Sequence, residues 1–512
     1  MSHSRLLVLT PLAIEASALR TGLGSAEVVR TGMGPCRAQE AAVRLADRLG
    51  PDIGAVAVAG FAGAVTEDLR PGDLVVATEV RSPDGRTISC SAPPLAAALR
   101  RRGLPVRLGP VLSTERVVPG AARRALAQTG AIAVDMETAW LAPAAAGRPL
   151  AVLRAVVDTP GRDLRRPVAT AMGGLEAYRN LRAAAPALAE WARAAGPRTI
   201  LLAGPRSFCA GVERAIHIVE RALERHGPPV FVRKQIVHNV HVVRDLELRG
   251  AVFVDQVDEI PEGALTVFSA HGVSPQVRAR AAERGLRVID ATCPLVTKVH
   301  AEARRFARSG HTVVLIGHDG HEEVEGTSGE APEAIQLIGS AAQVATLAVP
   351  EDRPVAYLSQ TTLAVDEVDE VVAALRDRFP DLAGPGSDDI CYATSNRQEA
   401  VKALASECEL MLVIGSTNSS NSRRLVEVSE RLGCPARLLD DEEELDPRWL
   451  EGVRTVCITA GASAPESLVG RVVDALAGLG HVEVQERQVV QESMEFTLPV
   501  ELREPGGESR WR

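Results

Sequence analysis

Short apolar runs alternate with segments of helical periodicity along the whole chain. In the first part, apolar runs at residues 6–10, 53–59, 72–77 and 150–157 predict strands, and residues 132–138 predict a strand that turns into an Ala-rich helix. Residues 11–19, and residues 35 to about 49, follow the helical period instead. Strands that alternate with helices in this way predict an α/β fold.

The second half repeats one pattern, in which an apolar strand leads into a polar or Gly-rich loop and then a helix. The strands are predicted at residues 200–203, 265–268, 288–289, 313–316, 355–358, 410–414 and 456–458. Parallel sheets present such loops at the carboxyl ends of their strands. If several small parallel sheets face each other, the loops converge on one cavity.

A change in composition separates the two halves. Residues 183–197 are Ala-rich and end in Gly196-Pro197, after which a new strand begins. We therefore predict one domain over residues 1–195 and a second over residues 198–500. Residues 501–512 drift into charge, Pro and Gly and are predicted to form a flexible tail.

Bulk composition narrows the class of protein. The chain has 512 residues, of which 46% are hydrophobic, 24% charged and 3% aromatic, which is typical of a globular protein with several cores. The net charge of −9 argues against a nucleic-acid binder that works by bulk electrostatics. The sequence contains no run of 18 apolar residues, so it predicts no membrane span. The first residues do not resemble a secretory leader. We expect a cytoplasmic protein, in which cysteines serve metals, catalysis or packing more often than disulfides.

Three of the eight cysteines lie where a predicted strand gives way to a predicted helix. Cys293 follows the apolar residues 288–289 and precedes Pro294, a residue suited to the first turn of a helix. There, the helix dipole and free backbone N–H groups are expected to lower the pKa of the thiol and favour a metal-binding thiolate. Cys209 and Cys391 occupy comparable positions, 84 and 98 residues from Cys293.

Such wide spacing fits neither a zinc finger nor a ferredoxin, so each thiol would come from a different subdomain. Three thiolates without a fourth suit a [4Fe–4S] cluster, one per chain, with one iron left for substrate. Spacing alone leaves buried structural thiols, or a zinc or redox-sensing site, as open alternatives. The other cysteines are expected to be structural: Cys36, Cys90, Cys408, Cys434 and Cys457.

Polar loops of the second half carry groups that bind phosphate. Residues 416–422 consist of Ser, Thr and Asn before a predicted helix, more such residues than one helix cap needs. His238, His271 and His321 lie in equivalent polar loops, and imidazole N–H groups can donate to phosphate oxygens. Glu323, close to two histidines, can carry protons as an acid.

The first half offers a second set of candidates. Gly32 and Gly34 precede a helix and could cradle an anion with their N–H groups, although a plain turn explains them equally well. Glu137 and Asp158 each follow an apolar strand, at the edge where α/β sheets place ligands. Helix caps or surface carboxylates are the alternative for these two. Glu15 lies early in the first predicted helix.

Together with Met136, these residues give roughly the first 190 residues a resemblance to the purine nucleoside phosphorylase and nucleosidase superfamily, most closely to the hopanoid-associated phosphorylases. The resemblance implies that Glu137 holds the ribose hydroxyls, Met136 packs on the nucleoside and Asp158 protonates the purine N7. Glu15 would activate water in the hydrolytic members.

One departure is Val157, where nucleosidases usually carry Ser. It leaves open whether this half is a hydrolase, a phosphorylase or a silent relic. The alternative is a non-catalytic docking module, in which Glu15→Ala, Glu137→Ala and Asp158→Ala together would leave any effect on the second half intact.

Residues from about 199 to 500 resemble the 4-hydroxy-3-methylbut-2-enyl diphosphate reductase family over long stretches. The matching segments span residues 208–212, 237–239, 269–273, 290–300, 323–327, 359–363, 389–394, 418–422 and 459–465. The family implies a trefoil of three α/β units around a [4Fe–4S] cluster on Cys209, Cys293 and Cys391. One departure is Ser207, where many members have Gly; it is expected to shift the loop only slightly.

The same resemblance implies an activity and its residues. The allylic hydroxyl of the substrate would be removed reductively, giving isopentenyl and dimethylallyl diphosphate at the last step of the methylerythritol phosphate route. Glu323, helped by Thr361, would deliver protons, and ferredoxin or flavodoxin with its reductase would supply electrons. The implied diphosphate ligands are His238, His271, His321, Ser419, Ser420, Asn421 and Ser463. If the first half acts on hopanoids, the fusion would join two steps of related metabolism, since the second half would supply isoprenoid precursors. The sequence does not indicate the nucleoside, the electron donor, the product ratio or the oligomeric state.

Overall fold

A computed structural model describes residues 5–46, 49–50, 52–161 and 167–503 of the chain. The strands are β1 (Arg5–Thr10), β2 (Glu27–Arg30), β3 (Ile53–Ala64), β4 (Leu74–Arg81), β5 (Thr87–Ser89), β6 (Val106–Ser113), β7 (Ala133–Asp135), β8 (Leu150–Asp158), β9 (Arg198–Gly204), β10 (Val230–Arg233), β11 (Ala251–Val254), β12 (Leu265–Phe268), β13 (Arg287–Asp290), β14 (Thr312–Ile316), β15 (Ile335–Ile338), β16 (Val355–Ser359), β17 (Leu410–Ile414), β18 (Ala436–Leu439), β19 (Thr455–Ala460) and β20 (Val482–Gln488).

The α-helices are α1 (Ala13–Arg20), α2 (Pro35–Ala46), α3 (Pro93–Arg100), α4 (Gly120–Leu126), α5 (Thr138–Leu141), α6 (Pro167–Ala194), α7 (Ala210–His226), α8 (Val240–Leu248), α9 (Pro275–Glu283), α10 (Pro294–Arg308), α11 (Glu322–Ser328), α12 (Val365–Arg378), α13 (Tyr392–Leu404), α14 (Ser420–Arg431) and α15 (Glu466–Ala477). Short 3-10 turns are Ala127–Thr129, Ala142–Ala145, Val257–Glu259, Ala341–Thr346, Glu442–Glu444, Pro447–Leu450 and Val500–Leu502. The strands predicted from the apolar runs are confirmed. Most of these runs are buried, as the pattern requires, but Val288 in β13 is exposed.

The chain divides into two compact units. The first comprises the chain up to Ile200 with Asp441–Val456 and Gly470–Gln485, and the second comprises Leu201–Asp440, Cys457–Val469 and the chain from Glu486 on. The first unit is therefore discontinuous in sequence, which the linear division at residues 195–198 does not foresee. A break in composition marks where a linker lies, but only packing shows which unit a later segment joins.

The first unit is built on an eight-stranded sheet of order β2-β1-β3-β7-β6-β4-β5, in which β8 pairs with both β3 and β4. Strands β3, β7, β6, β4 and β8 thus close on themselves. β3 and β8 run parallel, and both are buried along nearly their whole length. The carboxyl ends of β7 and β8 carry three of the residues predicted to form a site, Met136, Glu137 and Asp158.

The second unit contains three separate sheets, which confirms the predicted three α/β units. Their strand orders are β11-β10-β12-β13, β15-β14-β16 and β18-β17-β19-β9-β20. The pairings of β10 with β12, of β12 with β13, and of β14 with β16 are parallel. Parallel strands place the loops that follow them at the same edge of a sheet, so several polar loops face one region.

The end of the chain differs from the prediction of a flexible tail. Val500–Leu502 forms a 3-10 turn, and Leu502 is buried in the apolar core that also holds Leu498. Residues 504–512 of the predicted tail lie outside the described residues. Among the helices that the structure describes, none combines the length and the apolar character needed to cross a membrane.

Candidate functional site

Three cysteines of the second unit begin helices, as the sequence predicted, but the element before Cys391 is the helix α12 and not the predicted strand. Cys209 is the N-cap of α7, Cys293 that of α10 and Cys391 that of α13. A Cβ atom built on Gly211 would lie 2.8 Å from Cys293 Sγ and 3.8 Å from Cys209 Sγ. All three cysteines line one cavity. Residues 84 to 182 positions apart are thus brought together at three helix N-termini.

The prediction that the helix N-termini would lower the thiol pKa is wrong for the free thiols. Burial raises the pKa of Cys293 to about 12, and the backbone N–H groups of Leu295 and Val296 oppose it only in part. Burial also raises the pKa of Cys391 to about 11. A bound cation reverses this balance, because a coordinated thiol is deprotonated outright.

The arrangement of the thiols fits a polynuclear cluster better than a single metal ion. Among the described residues, the three sulfur atoms do not all lie within 4.8 Å of one another. A tetrahedral zinc with Zn–S bonds of about 2.3 Å holds its sulfurs at about 3.8 Å. A [4Fe–4S] cluster spreads its thiolate ligands over separate irons and so needs the wider spacing. Glycine at position 211 keeps the space between two of the sulfurs clear, since a side chain there would meet Cys293.

The loop before Cys209 carries the departure noted at Ser207. Ser207 takes a left-handed φ of 61°, and its Oγ donates to Glu466 Oε2 at 2.6 Å. This conformation costs an L-residue about 1–2 kcal/mol, which explains why glycine suits the position. The hydrogen bond to Glu466 offsets part of that cost and holds the loop.

The three predicted histidines meet in the same cavity as the thiols. His238 stacks on His271 with ring centroids 4.1 Å apart, and His321 lies edge-on 5.7 Å from His238. Burial, with the neighbouring histidines, lowers the pKa of His238 to about 2 and that of His321 to about 4. Both rings are therefore neutral at pH 7 and can donate one N–H each.

Several buried polar atoms of this cavity have no protein partner among the described residues. Both ring nitrogens of His238 are in this state, as are both side-chain amide atoms of Asn421. Native proteins rarely leave buried polar groups unpaired unless a ligand or water completes them. The unpaired atoms therefore mark the position of a polar ligand.

The loop of residues 416–422, which is rich in hydroxyl groups, caps a helix and also contributes side chains to the cavity. Ser419 caps α14 by accepting from the Ser422 N–H, while its Oγ also lies 3.4 Å from Ser463 Oγ. Ser463 in turn donates to the carbonyl of His238 at 3.0 Å. Ser419, Ser420, Asn421 and Ser463 all line the cavity, so the predicted phosphate-binding residues are brought together.

Glu323 lies buried beside Thr361, which is 38 positions away. The Thr361 backbone N–H donates to Glu323 Oε1 at 2.6 Å and its hydroxyl donates to Oε2 at 3.0 Å. Burial raises the pKa of Glu323 to about 7, although the bonds from Thr361 act in the opposite direction. The carboxyl group can therefore hold a proton near neutral pH.

Sequence reasoning missed the neighbours that tune this site. Glu322 Oε2 lies 3.0 Å from His271 Nδ1. Burial opposes the ionisation of Glu322, but His271 and the nearby cations Lys234 and Arg233 lower its pKa. Its place beside Glu323 in the sequence was the only available signal, and it does not show which of the two faces the histidines.

In the first unit, one cavity is lined by four predicted residues: Glu15, Met136, Glu137 and Asp158. Glu15 accepts the Phe61 and Leu12 N–H groups, each at 2.7 Å. Burial raises the pKa of Glu15 to about 7, with Arg154 acting in the opposite direction. This carboxyl group changes charge near neutral pH, as a catalytic base must.

The glycine turn meets this cavity differently from the prediction. Gly32 and Gly34 have φ of 92° and 91°, a conformation that glycine adopts without strain. The Gly34 N–H donates to Glu137 Oε1 at 2.9 Å, across 103 positions of sequence. This N–H orients the protein's own carboxylate and is not free to cradle an anion. Burial raises the pKa of Glu137.

Asp158 lies in a buried ion pair that the role implied for it did not include. Arg123 Nη1 donates to Asp158 Oδ1 at 2.8 Å, and Arg123 Nη2 donates to Oδ2 in the same buried ion pair. Both carboxylate oxygens of Asp158 thus accept hydrogen bonds from one guanidinium, and contact with a purine N7 would require this ion pair to open. Arg123 was missed because it lies on α4, 35 positions before Asp158.

A second buried arginine was also missed. Arg154 lies in the middle of the buried strand β8 and pairs with Asp135 at 2.6 Å, with both side chains essentially inaccessible. Its charge acts on Glu15 and Glu137 and opposes the effect of burial on both. The only signal in the sequence was a charged residue inside an otherwise apolar strand.

Comparisons with known proteins agree with this two-part architecture. Residues 21–195 match the phosphorylase superfamily, and residues 200–477 match the LytB protein family. The second match spans more than half of the chain, and the chain belongs to the LytB protein family. The resemblance of the second half is thereby confirmed, and that of the first half is confirmed at the level of the phosphorylase superfamily.

The relatives of the second unit are close. 4-Hydroxy-3-methylbut-2-enyl diphosphate reductase 2 of Mycobacterium bovis is 59% identical over 314 residues, which cover 60% of this chain and 95% of that protein. The corresponding reductase of Rhodococcus opacus is 59% identical over 312 residues, covering 61% and 93%. The solved E-1-hydroxy-2-methyl-but-2-enyl-4-diphosphate reductase from Plasmodium falciparum is 36% identical with a TM-score of 0.58, covering 60% of this chain and 97% of that one.

Proposed function

We propose that the second unit reduces 4-hydroxy-3-methylbut-2-enyl diphosphate to isopentenyl and dimethylallyl diphosphate. The observation that supports this proposal is a single cavity. It holds three convergent thiols, unpaired polar atoms of His238 and Asn421, and the buried acid Glu323. The close relatives named as this reductase support the substrate. Overall, the reaction adds two electrons and two protons and releases the allylic hydroxyl as water.

Each end of the cavity has a separate task in this proposal. The diphosphate is bound by N–H and O–H donors that line the cavity: the three histidines, Ser419, Ser420, Asn421 and Ser463. Glu323 holds a proton near neutral pH and passes it to the leaving hydroxyl, while Thr361 orients the carboxyl group.

Cys209, Cys293 and Cys391 would hold the [4Fe–4S] cluster. When bound, such a cluster supplies electrons one at a time and a Lewis-acidic iron. The electrons would come from a small carrier such as ferredoxin or flavodoxin, and the enzyme would work in the cytoplasm.

The proposal is tested on the whole chain purified without oxygen. We expect about four irons with matching acid-labile sulfide per chain, and turnover of the diphosphate substrate with a reduced viologen as electron donor. Zinc, or no metal after anaerobic reconstitution, would contradict the proposal. Iron without turnover would leave a cluster protein of another activity.

For the first unit, we propose hydrolysis of the N-glycosidic bond of a purine nucleoside. The specific observation is Glu15, whose pKa of about 7 lets its carboxylate take a proton from water. Glu137 lies beside it, oriented by Gly34 for the ribose hydroxyls. Arg123 is the one cation among the described residues that line the cavity, and it is neutralised by Asp158, so the lining suits water better than a phosphate dianion.

Hydrolysis should depend on pH with a definite sign. A base works when ionised, so the rate should rise as pH increases through about 7, where Glu15 loses its proton. Glu15→Gln should lower the rate by about 10²–10⁴ and abolish this rise. Adenine release from adenosyl compounds, measured with and without phosphate, gives the readout, and Glu67→Gln on the exposed surface is the control. A sugar phosphate as product would show phosphorolysis. If no base were released from any nucleoside, the hydrolase proposal would be wrong and the alternative, a non-catalytic docking module, would be favoured.

A further inference from the structure

The helix that begins at Cys209 carries a cation that reaches the loop of the next cysteine. Arg214 lies on α7, five positions after Cys209. Its Nη1 donates to the carbonyls of Ala291 and Thr292 at 3.2 and 3.1 Å. These two residues directly precede Cys293.

The helix that begins at Cys293 repeats the arrangement. Lys298 lies on α10, again five positions after its cysteine. Its Nζ donates to the carbonyls of Ser387 and Asp388, the latter at 2.9 Å, and contacts Asp389 Oδ1 at 3.2 Å. These residues lie two to four positions before Cys391.

The third helix returns to the first loop. Arg397 lies on α13, six positions after Cys391, and is fully buried. Its Nη2 donates to the carbonyl of Ser207 at 2.6 Å and to that of Phe208 at 3.5 Å. Ser207 and Phe208 directly precede Cys209, so the series of contacts closes.

We infer that Arg214, Lys298 and Arg397 form a cation ring that positions the three cysteines for a shared metal cluster. Each member belongs to the helix that one cysteine caps and holds the loop that carries the next. No two of these loops are neighbours in sequence, and the nearest contact spans 77 positions. The inference rests on the proposed cluster as the cofactor.

The ring has a physical reason in both geometry and charge. The loops before Cys209 and Cys293 follow strands of separate sheets, and the loop before Cys391 follows α12, so no strand pairing fixes the mutual distances of the three loops. Donors that bind the carbonyls before each cysteine set those distances directly. Arg214 and Arg397 also interact electrostatically with Cys293 and Cys209, respectively, and so offset part of the negative charge that thiolate ligands bring into a buried site.

Two members of the ring are themselves held by the segment that follows β20. Arg397 Nη1 donates to Glu492 Oε1 at 2.9 Å, and Arg214 Nε donates to the carbonyl of Thr497 at 2.9 Å. Leu498, which belongs to the same segment, is buried in the hydrophobic core of the second unit. The segment therefore fixes the guanidinium groups, which places it among the supports of the metal site.

The first test uses the reconstituted holoprotein. Arg214→Met and Lys298→Met should release iron to a chelator about tenfold faster than the wild type, as expected when groups that support metal ligands are lost. Arg221→Met and Lys402→Met are matched controls, because these cations lie on α7 and α13 and form ion pairs with Glu224 and Asp366. Both controls should release iron at the wild-type rate, and circular dichroism with thermal unfolding checks that all variants fold.

A second test needs no metal. Dibromobimane becomes fluorescent when it bridges two neighbouring thiols, and it reports whether Cys209 and Cys293 face each other. The Cys408→Ser background is used, since the thiols of Cys408 and Cys434 lie 3.5 Å apart and would also be bridged. We expect about tenfold slower bridging in Arg214→Met, and peptide mapping identifies the bridged pair.

Rescue separates positioning from general stability. Lys298→Arg keeps donors for the carbonyls of Ser387 and Asp388 and should restore slow iron release, whereas Lys298→Met should not. The inference would be overturned if the ring variants released iron, and bridged their thiols, at the same rates as the controls and the wild type. If the wild type bridges its thiols in a ring-dependent way but binds no iron, the ring stands and the proposed cofactor fails.

Discussion

Replacing Cys293 by serine is expected to remove the bound iron and reduce reductase activity to the protein-free background. Iron should fall from about four per chain to below one, because a serine hydroxyl does not ionise at neutral pH and two thiols cannot hold the cluster. The side chain lies at the start of α10, where Gly211 leaves room between it and Cys209. Iron and sulfide analysis with electron paramagnetic resonance provides the measurement.

A matched control is available in the same unit. Cys408→Ser changes a half-buried thiol whose sulfur lies 3.5 Å from that of Cys434 and also interacts with Cys457, and neither of these is a proposed cluster ligand. It should keep its iron and activity. If Cys293→Ser retained a spectroscopically normal cluster, the proposed set of ligands would be wrong, whatever the activity.

Glu323→Gln is expected to lower the turnover number of the reductase by about 10²–10⁴ while the cluster content stays normal. Glutamine keeps the shape of the side chain and can still accept the Thr361 N–H, but it has no proton to deliver. In the wild type, the rate should fall as pH rises through about 7, since the protonated form of Glu323 is lost there. In the variant, this falling limb should be missing.

The same variant has a consequence for stability with a definite sign. Burial raises the pKa of Glu323 from 4.5 to about 7, so the folded protein binds more protons than the unfolded chain between these values. Its stability therefore falls as pH rises through that window, by roughly 3 kcal/mol in all. Glu323→Gln removes this loss, so the melting temperature of the variant relative to wild type should increase from pH 5 to pH 8.

Glu325→Gln is the matched control, since Glu325 lies on the same helix α11 but is exposed. It should leave turnover and the pH profile unchanged. A wild-type profile that rises through pH 7, or a Glu323→Gln variant with normal turnover, would assign the proton transfer to another group.

The two units thus contain buried glutamates with the same pKa and opposite proposed tasks. Glu15 and Glu323 both have a pKa of about 7, because burial disfavours the carboxylate in each case. Glu15 would act as a base and Glu323 as an acid. The rates of the two reactions, measured in one preparation, should therefore change in opposite directions across neutral pH. Unfolding would lower both rates together, so the comparison distinguishes titration of the glutamates from loss of the fold.

The sequence by itself determined the elements and the candidate residues. Cys293-Pro294 after an apolar run placed a thiol at the start of a helix, since a strand and a helix impose different local periods and proline suits only the first turn. The same logic placed Glu137 and Asp158 at the ends of strands, and both line the cavity of the first unit.

Only the tertiary structure decided which charges meet. Asp158 pairs with Arg123 on α4, a partner that the implied role did not include, and the free thiols hold their protons because burial outweighs the helix termini. Local pattern cannot reveal such effects, since Coulomb and desolvation energies depend on distance and burial between segments far apart in the chain. The cation ring follows from the same cause: its helices are visible in the sequence, but the loop that each cation holds is set by the packing of three sheets.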